Sequence, residues 1–204
     1  MTSRREFLQI GIAASTWPLA SQAARAAGID VIAASPRTES VPLYKVVYDT
    51  RFPASVAFGR RAAELGSAVH PIDGDMTRLW FDDVYHQWKQ APVAIAGLTA
   101  HGPLFCFERL AWDQGLRVVF RAAHGDGASG ALNHVVSGPL SMHADARAAL
   151  ARADWSVPMA DVVTRCPRGK SEIGAFSVGV TGAEGILATD TTLYSWIIAP
   201  VARA

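Results

Sequence analysis

Pro92-Val93-Ala94-Ile95-Ala96-Gly97-Leu98, continued by Thr99-Ala100-His101-Gly102-Pro103, is the stretch whose reading decides the fold. Seven nearly all-apolar residues with no period-two alternation predict a strand buried on both faces, the habit of a parallel sheet. Gly102-Pro103 then opens a helix to Gln114, closed by Gly115, since proline suits a first helical turn and glycine the residue past the last. Leu116-Arg117-Val118-Val119-Phe120 resumes as a strand.

Upstream the same alternation holds. Leu43-Tyr44-Lys45-Val46-Val47-Tyr48 is β-rich and stops at Asp49. Pro53 starts a helix in which Ala54, Ala57, Phe58, Ala62 and Leu65 fall at helical spacing, ended by Gly66. Ala68-Val69-His70-Pro71-Ile72 reads as a second strand weakened by its proline. A helix from about Met76 to Lys89 places Trp80, Val84 and Trp88 four apart. Strand, helix, strand, helix, strand, helix, strand predicts an α/β fold: one three-layer domain with a mainly parallel sheet over residues 43–121. After His124 the alternation breaks. Gly125 to Gly130 reads as a loop, Asp145 to Ala153 as a short helix, and Ala175–Val180 and Leu193–Ile198 as strands. These are expected to add antiparallel strands at the sheet edge, within one α/β domain over 43–200.

Ahead of that domain, Ser3-Arg4-Arg5-Glu6-Phe7-Leu8 precedes an apolar stretch from Ile10 to Ala20, and Ala24-Arg25-Ala26 supplies a small-residue cleavage pattern. The paired arginines before Phe-Leu resemble a twin-arginine export signal, although Gln9 stands where a lysine often follows. The apolar stretch is too short and too interrupted to span a bilayer. Residues 1–26 are thus expected to be a signal peptide addressing the chain to the periplasm, and 27–42, with Pro36 and Pro42, a linker. Removing the signal takes away Arg4, Arg5 and Arg25 against Glu6, turning a formal charge of +1 into −1. No basic surplus remains to attract nucleic acid or anionic lipid. No later apolar run approaches the ~20 residues of a membrane span.

In an open parallel sheet ligands bind outside the carboxyl ends of the strands. The predicted strand ends deliver Asp49 and Arg51, then Asp73 and Asp75, then Thr99, His101 and Gly102, then His124 and Asp126. These nine are the candidate ligand-binding residues. Thr99-Ala100-His101-Gly102-Pro103 is the sharpest, because free amides and the dipole of a helix start favour a phosphate, carboxylate or oxyanion. His101 there is the candidate catalytic acid/base. The alternative is that Thr99 or His101 merely caps the helix.

Other motifs point to less. Aspartates and histidines at strand ends suit a metal, but no ligand spacing such as H-E-x-x-H supports one, and no metal site is assigned. Gly125-Asp126-Gly127-Ala128-Ser129-Gly130 matches G-x-G-x-x-G, yet a β-branched run follows where the dinucleotide fingerprint needs a helix. Serine-hydrolase and P-loop signatures are absent. The only cysteines, Cys106 and Cys166, could pair in an oxidising compartment. The alternative takes Cys106 as a small buried hydrophobe. The predicted helix 102–114 is apolar around most of its circumference, which implies deep burial or a subunit interface. No cofactor can be named. The reading is an exported binding or accessory subunit for a small anionic ligand, cofactor or redox partner, with a homo-oligomer as a further option. A small periplasmic enzyme built on His101 is the alternative.

Overall fold

A computed structural model describes residues 42–127, 131–165, 172–180 and 191–201, all within one compact unit, Thr38–Ala204. Residues 1–41, which hold the signal-like stretch and most of the expected linker, lie outside the described residues, as does Cys166. Seven strands form one sheet: β1 (Leu43–Asp49), β2 (Val69–Ile72), β3 (Ala94–Ala100), β4 (Leu116–Asp126), β5 (Leu132–Pro139), β6 (Ile173–Val180) and β7 (Leu193–Pro200). Six α-helical segments accompany them: α1 (Pro53–Glu64), α2 (Thr77–Leu79), α3 (Tyr85–Gln90), α4 (His101–Asp113), α5 (His143–Leu150) and α6 (Ser156–Thr164). A single π-helical turn, Trp80–Val84, joins α2 to α3 in the place of one continuous helix.

The sheet order is β2-β1-β3-β7-β4-β5-β6. β1 pairs in parallel with both β2 and β3, and the other four pairings are antiparallel. The sheet is therefore mixed rather than mainly parallel. β6 does extend one edge, as expected, and β5, which the sequence pattern does not assign, joins it there. β7 does not: it lies between β3 and β4, with Gly97 opposite Trp196 and Ala122 opposite Ser195. Its run Leu193–Ala199 is buried except for the half-buried Tyr194, as a central strand must be. β4 and β5 form a long hairpin arm where the sequence pattern suggests a strand ending at Phe120 followed by a loop.

Buried side chains gather in two clusters on opposite faces of the sheet. One collects Phe58 and Ala62 of α1, Ala146 and Leu150 of α5 and Met159 and Val163 of α6 against Val46, Leu98, Phe120 and Ile197. The other collects Leu79, Trp80, Val84 and Trp88, with Leu104, Phe107 and Ala111 of α4, against Val47, Ile95, Leu116 and Trp196. Gly97 permits the second cluster to close, because a Cβ there would strike the Val47 carbonyl and the Trp196 ring. In β4, Leu116 belongs to the second cluster and Phe120 to the first, although their spacing is even. A bulge between Val118 and Phe120 reverses the alternation. His124 consequently faces the side of the sheet covered by α5 and α6.

Candidate functional site

Because β3 and β4 both run antiparallel to β7, the four strands β1 to β4 point the same way and end at one rim. The chain leaves β1 for β2 on one side and returns from β2 to β3 on the other, so strand order reverses between β1 and β3. α1 belongs to one buried cluster and α4 to the other, the arrangement that in open α/β sheets favours a crevice at the switch point.

On the β1 side Asp49 is fully buried and its carboxylate is occupied by Arg51. The Arg51 amide and Nε donate to Oδ1 at 3.2 and 2.9 Å, and Nη2 donates to Oδ2 at 2.7 Å. This two-point fork holds a guanidinium that remains 47 % exposed. The hydrogen bonds from Asp49, with Asp73 nearby, push the Arg51 pKa further up. The guanidinium lies against Gly74, whose φ of +95° and missing Cβ make room for it. Asp49 is fixed from behind as well: its amide donates to Ser55 Oγ at 2.7 Å, and Ser55 donates to the Leu98 carbonyl.

On the β3 side α4 begins at His101 with Ala100 in the capping position, extended and without a side-chain cap. Thr99 does not cap it. Its hydroxyl is fully buried, accepts from Trp196 Nε1 at 3.1 Å and donates to the Ala100 carbonyl at 3.0 Å. His101 is exposed, with its ring stacked on Phe105 at 5.9 Å and edge-on to Tyr194 at 5.6 Å. A Cβ at Gly102 would meet nothing within 4 Å. No side chain caps the first turn of α4, in which Pro103 has no amide hydrogen to offer.

Asp73 and Asp75 line a neighbouring cavity of about 400 Å³ at the end of β2, together with Thr50, His70, Arg78 and the apolar floor of Ile72 and Leu79. Asp49, Thr99 and His101 are not among its lining residues. Hydrogen bonds from the hydroxyl and amide of Thr77 hold the Asp75 carboxyl below the usual carboxylate range. Burial, then the nearby Lys45, lowers the His70 pKa. Burial lowers that of Lys45, which together with Tyr44 grips Asp83 on the π-helical turn. Nothing in the hydrophobic pattern signals this Tyr44–Lys45–Asp83 contact, because one extra residue in the turn sets where Asp83 points.

His124, placed at a strand end by the sequence pattern, is fully buried within β4, two residues before the exposed Asp126. Its Nδ1 lies 2.8 Å from Nδ1 of His134, its register partner on β5, and its Nε2 lies 2.9 Å from Ser195 Oγ. Trp155, in the turn before α6, covers the pair with its ring 4.0 Å from that of His124. Burial, reinforced by the neighbouring imidazole, drives the His124 pKa well down, and burial takes His134 to about 4. Both rings are thus neutral near pH 7, and one hydrogen passes between the two Nδ1 atoms. Serine, histidine and histidine in this order resemble a nucleophile relay. Ser195 is fully buried in a central strand, however, and a strongly depressed imidazole is a poor base. The trio is a buried polar network.

Cys106 is exposed on α4 rather than buried. The same helix shows Phe105 at 51 % and Trp112 at 45 % exposure, with the Arg109 guanidinium 4.3 Å over the Trp112 ring. Its other side, with Leu104, Phe107 and Ala111, is buried core. Among the described residues no three His, Cys, Asp or Glu are arranged to hold a metal ion, and no helix is long and apolar enough to cross a membrane. No family model, no curated protein and no solved structure matches this chain.

Proposed function

We propose that the chain is an exported binding or accessory subunit that holds a small anionic ligand or cofactor, or accompanies a redox partner, in the periplasm. One observation carries this reading: the uncapped start of α4 lies at the switch point, with the exposed His101 and open space at Gly102. Free amides and the helix dipole there favour negative charge. Arg51, held by Asp49 against Gly74 at the end of β2, supplies a half-exposed cation on the same rim. Asp73, Asp75 and Thr50 border the adjoining cavity and would select ligands that also offer hydrogen-bond donors. The twin-arginine-like leader in residues 1–26 supports export, with 27–42 as tether to the domain of 43–200. Helices in both buried clusters support a three-layer arrangement of that domain.

Inorganic phosphate followed by amide NMR tests the binding reading. The amides of His101, Gly102 and Leu104 should shift saturably, and Arg51→Ala should weaken the effect several-fold. Phosphate that moves amides elsewhere but leaves these in place would reject the site. A second reading, a small periplasmic enzyme with His101 as acid/base, is favoured by the exposure of that ring beside Phe105 and Tyr194. His101→Ala should then abolish turnover of a substrate while leaving its binding within a few-fold. In the binding reading the same substitution lowers affinity and there is no rate to lose.

A further inference from the structure

The two edges of the sheet are built differently. β2 is four residues long and carries Pro71, which cannot donate to a ladder. β6 is eight residues, Ile-Gly-Ala-Phe-Ser-Val-Gly-Val, with no charge and no proline. It pairs with β5 without a register shift from Leu132 opposite Val180 to Pro139 opposite Ile173, so the edge is unbroken by a bulge. Charges, prolines, bulges and shortness are the devices that keep a sheet edge from pairing with another chain. β2 has two of them, and among the described residues β6 has none. Exposed apolar side chains gather at the same end of the sheet, with Ile173 at 62 % and Val135 of the adjoining β5 at 50 %.

We infer that β6 is an interaction surface, and that its partner is a second copy of this chain. The two β6 strands would pair antiparallel about a two-fold axis perpendicular to the sheet, joining two sheets into one. Such an axis keeps each face of the sheet on its own side, so residues directly opposite share a face. The register therefore centres on Phe176 or on Ser177. In either register Gly174, Ala175, Ser177 and Gly179 fall at the seam, small enough for the two backbones to reach hydrogen-bonding distance. An uncharged strand of this kind offers nothing to select a foreign partner by charge, whereas self-pairing brings no like charges together anywhere along Ile173–Val180. The inference is independent of the ligand crevice, which lies at the other end of the strand order.

Sedimentation equilibrium of the purified chain tests it, with two edge variants, Ser177→Lys and Gly179→Lys. Both positions are exposed, and a Cβ at Gly179 meets nothing within 4 Å, so circular dichroism and the melting midpoint should stay close to wild type. Wild type should be a dimer, and each lysine should weaken it by roughly tenfold or more. Trp112→Glu on α4 should leave the dimer constant unchanged. A wild-type monomer overturns the inference, whether the edge is covered by the chain's own remaining residues or by nothing. So does a dimer that both lysine variants retain, or one that Trp112→Glu dissolves.

Discussion

The rim of the sheet treats chemically similar residues in opposite ways at its two ends. At the ends of β1 to β3, Asp49 holds a half-exposed Arg51 against Gly74, and His101 stands in solvent at an uncapped helix start. Between β7 and β5, Ser195, His124 and His134 are fully buried and linked in a row beneath Trp155, with His134 Nε2 and Trp155 Nε1 left without a partner among the described residues. Two structural causes produce the difference. Parallel strands stop where their crossover helices start, so the residues after them must face the crevice. β4 and β5 instead form a hairpin that carries pairing beyond the point where the crossover pattern stops, and Trp155 then covers its inner side. A polar residue near a strand end thus opens onto solvent in one architecture and becomes core in the other. What decides is the length of the pairing and what lies over it.

The largest effect should come from uncovering the buried end. Trp155→Ala removes a fully buried indole and should cost about 3–5 kcal/mol, read as a shift of the urea midpoint. A loss below about 1 kcal/mol would mean that Trp155 is not the lid of the pair. The next effect comes from acid. With His134 near 4 in the folded chain and 6.5 in the unfolded one, the unfolded state binds the proton that the native state refuses. Stability is then complete above about pH 6.5 and falls as pH drops toward 4, by on the order of 3 kcal/mol for His134 alone. The depressed His124 and His70 push in the same direction. A stability profile that is flat across this window would show that the imidazoles are not buried neutral.

At the open end, Arg51→Ala leaves a buried carboxylate short of its donors and should cost about 2 kcal/mol. Asp49→Asn should cost less, since the amide oxygen still accepts; equal losses would place the Arg51 contribution in packing instead of charge. Smallest of all, Phe105→Glu on the exposed side of α4 should change stability by no more than ~0.5 kcal/mol. A larger loss would make that surface part of the core.

The parallel half was legible because each of its signals is local. Pro53 and Gly66 bracket α1, the run from Pro92 to Leu98 marks β3, and Gly102-Pro103 and Gly115 bracket α4 within a residue or two. The antiparallel half depends on events that no window contains. The bulge at Val119 changes which face His124 takes, and β5 lies in a short β-branched run that the pattern leaves unassigned. α6, with Pro158 in its first turn, gave no clean helical period. The position of β7 did leave a trace: Leu193–Ile198 is apolar at almost every position, as expected for a central strand, where an edge strand would alternate. At the site, Asp49, Arg51, His101 and Gly102 could be found from topology alone. His70, Lys45 and Asp83 could not, because their meeting depends on one π-helical turn.

The central place of β7 has a consequence for synthesis. Its ladder partners lie near residue 95 and residue 120, so both flanks are made well before the strand that joins them. A chain still growing on the ribosome holds two partial sheets facing an empty slot, each exposing the backbone groups that β7 will later occupy. Non-local pairing of this kind is slow and leaves apolar edges open meanwhile. Completion of the fold thus waits until β7 itself has been made. A chain lacking β7 would be left in two halves, open to chaperones and proteases.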